Sequence, residues 1–214
     1  MSTIAIIGST GYAGGNIAAE ALRRGHEVIG VSRTSPGENR PGVTSRQGSL
    51  ADPAFMEQIA STADVIVVAT RATIGDDPFL VPLVPSLLEV ADTHDVRLGF
   101  VGGAGSLLVA PGGPRLVDTE AFPEIYKFEA LSHGQVLDAL RASTTNAHWF
   151  YVSPAAGFGS HAPGERTGHF RVGGDVLLID DDGNSFVSGE DFAIAVLDEI
   201  EQPRHHRGRL SVAY

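Results

Sequence analysis

With 214 residues, a formal net charge of −11 and no cysteine, the chain is sized for one α/β domain with a full core, and it can hold no disulfide, thiol nucleophile or thiolate metal site. Its acidic balance and scattered arginines exclude a nucleic-acid backbone as partner, and no apolar run approaches membrane-spanning length. The chain enters a strand without a charged leader, so a cytoplasmic protein is expected.

The first predicted element is a β-branched strand at Ile4–Ile7, followed by glycines at 8, 11 and 14 and a helix from Tyr12 to Arg24. A strand-glycine-helix turn of this kind cradles a dinucleotide pyrophosphate. Gly8 makes the tight turn, Gly11 lets the main chain approach the phosphates and Gly14 lets the helix pack, with Thr10, Tyr12 and Ala13 supplying the rest of the cradle. The second strand, His26–Ser32, ends in Ser32-Arg33-Thr34. NAD-specific folds carry an acid at this tip, about 20 residues after the first glycine, to bind the ribose hydroxyls. Arg33 instead suits a 2′-phosphate and the adenine plane, with Ser32 and Thr34 as hydroxyl donors, so NADP(H) is favoured over NAD(H). The competing reading of Arg33 is an ordinary solvated arginine.

A third strand is expected to end near Gln47–Leu50, bringing Ser49 and Leu50 to the cofactor, and Asp52-Pro53 marks a helix start. The fourth strand, Asp64–Thr70, delivers Ala69, Thr70 and Arg71. Between Arg71 and Pro85 the prolines break any long helix, which predicts a loop or lid beside the site. The fifth strand, Arg97–Gly102, runs into a second glycine turn holding Gly102, Gly103 and Ser106. Pro123-Glu124 marks a helix with proline at its first position, and the strand Trp149–Ser153 contributes Ser153 and Pro154. Beyond it the pattern predicts a hairpin of His169–Val172 with Val176–Asp180 and a turn at Asp182-Gly183 before Ser185–Val187. Ser188 and Asp191 read as a capping box for a helix ending near Glu201, and Arg209–Tyr214 as a closing strand. The eight histidines show no metal-ligand spacing, so no metal is expected. The alternation as a whole predicts a single α/β domain over residues 1–214 built on a doubly wound parallel sheet, with acceptor-site elements mainly at 71–85 and 154–187.

Several segments together resemble the atypical short-chain dehydrogenase/reductase superfamily, and within it the NADH-flavin reductase group related to the B-type biliverdin reductase. They are I-I-G-S-T-G-Y-A-G at 6–14, G-H-E-V at 25–28, V-G-G-A-G-S-L at 101–107, F-P-E-I-Y-K at 122–127 and S-P-A-A at 153–156. P-G-E-R-T-G at 163–168, G-G-D at 173–175, S-G-E-D-F-A at 188–193 and the ending S-V-A-Y complete the set. The resemblance runs from end to end. It implies an NAD(P)-binding Rossmann fold and a flavin or quinone-like acceptor.

Standard members of that superfamily use a tyrosine with a lysine four residues on. Here the only lysine, Lys127, directly follows Tyr126, which points the two side chains about 100° apart on a helix. Chemistry that must protonate an alkoxide is therefore disfavoured, whereas a flavin ring spreads the added charge and leaves proximity and stacking as the main demands. Two catalytic candidates follow. Ser106 either hydrogen-bonds an acceptor or the nicotinamide amide, or caps its own turn. Tyr126 is an acid or stacking platform, or, as the favoured reading, a helix residue covering the sheet. The expected function is NADPH-dependent hydride transfer to a flavin or other planar conjugated acceptor. The alternatives are a non-catalytic NADP(H) sensor similar to NmrA-like regulators and, last, a sugar-nucleotide epimerase or dehydratase. The expected partners are a small-molecule acceptor and a second copy of the chain in a homodimer.

Overall fold

The computed structural model describes residues 1–34, 41–75 and 77–214; Asp76, within the expected 71–85 loop, lies outside them. The β-branched run at the start becomes β1 (Thr3–Ile7), and its side chains divide the core in two. Alternate residues of a strand face opposite ways, so Ala5 and Ile7 enter one apolar layer and Ile4 and Ile6 the other. The β4 strand (Val65–Val68), buried throughout, splits likewise into Ile66 and Val68 against Val65 and Val67. Both faces of the sheet must then be covered by helices. On one face lie α2 (Pro53–Ala60), α3 (Val84–His94) and α4 (Glu124–Ala142), and on the other α1 (Tyr12–Arg23) and α5 (Gly189–Glu201).

The remaining strands are β2 (Glu27–Ser32), β3 (Val43–Gln47), β7 (Arg97–Val101), β8 (Trp149–Pro154), β9 (Arg171–Gly173) and β10 (Gly208–Ala213), with a two-stranded flap of β5 (Thr73–Ile74) and β6 (Asp77–Pro78) apart from the sheet. The sheet order is β3-β2-β1-β4-β7-β8-β10-β9. Every neighbour pairing is parallel except β10 with β9. Chain order reverses between β1 and β4, which opens a crevice at the carboxyl ends of the strands. This is the doubly wound α/β fold expected. Among the described residues no helix is long and apolar enough to cross a membrane.

Four local expectations need correction. The predicted hairpin of 169–172 with 176–180 does not form: β9 pairs with β10 (Val172 opposite Val212), while Leu177 N–H donates to Leu108 O and Leu108 N–H to Asp175 O. The edge that hairpin needed is already taken by the closing strand, and only the turn survives, through Asp180 N–H to Asn184 O at 2.8 Å. Pro123 is the N-cap of α4 rather than its first residue, and Pro85 opens α3 instead of breaking a helix. Ser188 Oγ accepts from Asp191 N–H at 3.1 Å as a cap should. The reciprocal half of the box is absent, because Ser188 N–H donates to the Tyr214 hydroxyl and the Asp191 carboxylate turns away to Thr167 and Gly168.

Candidate functional site

The glycine turn is built as the sequence requires. Gly8 has a φ of +88°, and a Cβ there would lie 2.5 Å from Ala69 O. A Cβ at Gly14 would lie 2.3 Å from Gly8 O, so this glycine serves the packing of α1. Gly11 differs. Its φ is an ordinary −78°, and a Cβ would meet only Gly8 O, at 3.3 Å. The glycine there keeps side-chain atoms out of the cleft that it lines. Gly11 is also the N-cap of α1 and offers no side-chain cap, so the first-turn N–H groups of the helix remain available to a ligand.

The cleft at the switch point has a volume of about 710 Å³, within the range of small-molecule sites. Of the expected cofactor residues, Gly8, Thr10, Gly11, Ser32, Arg33, Thr34, Leu50, Ala69, Thr70 and Arg71 line it. Among the described residues its wall holds two guanidinium groups, Arg33 and Arg71, and no carboxylate, in a chain of net charge −11. Arg33 lies 6.0 Å from the centroid of the Phe79 ring. The buried Thr70 Oγ1 has no partner in the protein. An orphaned hydroxyl, two cations and a glycine turn fit the phosphates and ribose of a dinucleotide. Ser32 fits less simply: its hydroxyl already donates to Thr34 O at 2.6 Å, so it can accept but not give a further hydrogen bond.

The other expected residues lie elsewhere. Tyr12, Ala13 and Gly14 place no side chain in the cleft wall and offer only their main-chain N–H groups at the helix start, and the Tyr12 hydroxyl donates to Pro163 O. Ser49 Oγ accepts from Ala51 N–H, leaving Gly48 and Leu50 to form that part of the wall. Ser153 and Pro154 are buried inside β8, opposite Ser211 and Val212 of β10, and do not reach the cleft. Gly102 is a glycine because the Tyr151 ring occupies its side-chain space, with Cζ 2.0 Å from where a Cβ would be. Gly103 beside it is open, with only His133 Cδ2 near, at 3.9 Å.

Ser106 Oγ accepts from the buried Arg209 at 2.8 Å, so the hydroxyl is oriented by Arg209 rather than by its own turn and its proton is not spent in that bond. Tyr126 is 55 % exposed on α4, which corrects the expectation that it covers the sheet; Lys127 pairs with Glu124 instead. Residues 158–168 pack on the α1–α5 face, with Phe158 4.6 Å from Phe192, Arg166 paired with Glu20 and Asp191 holding Thr167 and Gly168, whereas Asp175 pairs with Arg141 of α4. Among the described residues the 154–187 segment supplies nothing to the cleft wall, whereas 71–85 supplies Arg71, Thr73, Ile74, Gly75 and Phe79.

One cluster was missed in the sequence. Glu129 on α4 accepts from Ala72 N–H at 2.7 Å and from the Thr73 hydroxyl, lies 3.2 Å from His133 Nε2 and 3.6 Å from Arg71 Nε, and so fastens α4 to the cleft wall. Burial opposes its ionisation, but the hydrogen bonds from His133, Thr73 and Ala72 outweigh burial and hold its pKa at about 2. Its sequence signal is an acid and a histidine four apart on one helix face. Phe79 had no such signal, because its place beside Arg33 comes from the fold alone.

Residues 8–203 match the family model described as NAD(P)H-binding. The uncharacterized protein YwnB of Bacillus subtilis is 36% identical over 98% of this chain and 97% of its own length. A Burkholderia pseudomallei structure named a "putative exported protein" superposes with a TM-score of 0.88 at 42% identity, covering all of both chains. A Streptococcus pneumoniae structure named a "putative NADH-flavin reductase" gives 0.84 at 30% identity, covering 100% of this chain and 99% of the other.

Proposed function

The chain belongs to the NAD(P)H-binding family, and from that premise we propose that it is an NADPH-dependent oxidoreductase acting on a flavin or another planar conjugated acceptor. The observation that carries the NADPH assignment is the cleft wall, with Arg33 at the tip of β2 and no acid beside it among the described residues. Arg33 takes the 2′-phosphate, with the Thr34 hydroxyl as a second donor beside it, and its guanidinium plane together with Phe79 flanks the adenine. The Gly8–Gly14 turn and the start of α1 hold the pyrophosphate, with Thr70 Oγ1 and Arg71 on the β4 side. NADPH supplies a hydride when bound. The Ser106 hydroxyl, oriented by Arg209, keeps its proton for an acceptor or a carboxamide.

The flavin reading is supported by the name given to the Streptococcus relative and by a cleft wall that, among the described residues, holds neither a tyrosine nor a lysine. Tyr126, the one tyrosine next to a lysine, faces solvent, and this also favours the second reading, a sensor that binds NADP(H) without turnover. Mixing the purified protein with NADPH and riboflavin or FMN and following the absorbance of the reduced nicotinamide separates the two. Enzyme-dependent oxidation supports the reductase; tight NADPH binding with no oxidation across flavins and quinones selects the sensor. A cytoplasmic location belongs to the same proposal and is tested by fractionating cells that express the protein.

A further inference from the structure

Within the cofactor reading above, on which this inference rests, we propose that Glu129 is a positioning residue for the pyrophosphate. It holds Arg71 through Nε, so that both terminal amino groups of the guanidinium are left to the phosphates. The end of β4 abuts the phosphate turn: a Cβ at Gly8 would lie 2.5 Å from Ala69 O and 3.2 Å from Thr70 Cγ2. Arg71 follows directly and lines the same cleft wall as Gly8, Thr10 and Gly11. Its side chain is 79 % exposed, and among the described residues its one charged partner is Glu129, with Oε2 3.6 Å from Nε. An arginine this exposed samples many rotamers, and fixing one on binding costs conformational entropy. A partner that fixes it beforehand removes part of that cost.

The carboxylate is itself held on all sides. Oε1 accepts from Ala72 N–H at 2.7 Å and lies 3.2 Å from His133 Nε2, while Oε2 accepts from the Thr73 hydroxyl and faces Arg71. One carboxylate thus holds the side chain of residue 71 and the main-chain N–H of residue 72, which restrains the arginine at both ends. Its own base is a 19-residue helix, α4. The hydrogen bonds that lower its pKa to about 2 keep it an anion. An exposed ion pair contributes little to stability, so the value of the Arg71 pair lies in placement. With Nε engaged, the guanidinium offers its two terminal nitrogens, which can take two phosphate oxygens together. The negative charge of Glu129 opposes the phosphates, but across a solvated cleft that repulsion is screened, whereas the ordering of Arg71 acts in full.

Two ligands isolate the effect without turnover. NADP⁺ carries both the pyrophosphate and the 2′-phosphate, and adenosine 2′-monophosphate carries only the second. In calorimetric titrations Glu129→Gln should raise the Kd for NADP⁺ about three- to tenfold and that for adenosine 2′-monophosphate less than about twofold. Arg71→Gln should weaken NADP⁺ at least as much, and adding Glu129→Gln to it should cost less than about twofold more. Glu129→Asp keeps the charge but draws the carboxylate back by one methylene, and it should weaken NADP⁺ as the glutamine does. Thermal unfolding confirms that each variant is folded at the titration temperature. A general loosening of the wall would weaken both ligands and add in full to Arg71→Gln, and either result overturns the proposal. Tighter NADP⁺ binding in Glu129→Gln, or wild-type affinity in Glu129→Asp, also overturns it, because charge rather than placement would then dominate. A wild type that binds neither ligand removes the cofactor reading itself. Binding of both ligands with no selective loss in Glu129→Gln removes this inference alone.

Discussion

Replacing Arg33 with glutamine probes the electrostatics of the cleft most directly, because it removes the charge while keeping a polar side chain. Arg33 is exposed at the tip of β2, so its pairing with a 2′-phosphate is worth far less than a buried ion pair. Two unit charges about 4 Å apart attract by about 1 kcal/mol in water and about 4 kcal/mol at the effective dielectric of a protein surface. Hydrogen bonds to charged groups contribute about 1.5–3 kcal/mol net. A loss of about 1.5–3 kcal/mol follows, or about 10- to 150-fold in NADPH dissociation constant. NADH has a neutral hydroxyl in place of the phosphate and should lose less than about threefold, from weaker adenine stacking alone. Fluorescence titration of both cofactors at low and high salt reads the difference, and the gap between them in the wild type should shrink as salt screens the pair. Equal losses for NADPH and NADH, or no loss for either, would refute the assignment of Arg33 to the 2′-phosphate.

Gly8→Ala combines a positive φ with a Cβ 2.5 Å from Ala69 O. It should destabilise the fold by about 2–4 kcal/mol, which thermal unfolding registers as a drop of about 5–15 °C for a chain of this size. Glu129 has a pKa of about 2 against an ordinary 4.5, so it contributes stability that is fully present above pH 4.5 and is lost as pH falls towards 2. Allowing for partial exposure, about 2 kcal/mol should disappear over that window, and acid titration of Glu129→Gln should lack this part of the slope. Asp191→Ala strips acceptors from Thr167 N–H, the Thr167 hydroxyl, Gly168 N–H and the Tyr214 hydroxyl. A stability loss of about 2–4 kcal/mol is expected, with NADPH affinity within about twofold of wild type, because the segment it anchors does not line the cleft. A large affinity loss in that variant would contradict the placement of Thr167 and Gly168 on the α1–α5 face, away from the cleft.

The sequence by itself determined what depends on neighbours along the chain. A β-branched run followed by glycines at 8, 11 and 14 admits few structures other than a strand-turn-helix cradle, because one position needs a positive φ and another needs contact without a Cβ. The missing acid after β2 and the isolated Lys127 were equally legible, since each is a matter of residue type at a fixed spacing. Only the tertiary structure decided which carboxyl ends converge. Ser153 and Pro154 were expected at the cofactor because they end a strand, but β8 lies two strands beyond β4 and is walled in by β10. The hairpin expected after residue 168 failed for a related reason: β-pairing is settled by whichever edge is free, and the last strand of the chain took it. Glu129 and His133 gain their setting from Ala72, Thr73 and Gly103, which are 26 or more residues away in sequence. Local spacing fixes backbone geometry, while the meeting of side chains at a site depends on strand order, which no short window of sequence contains.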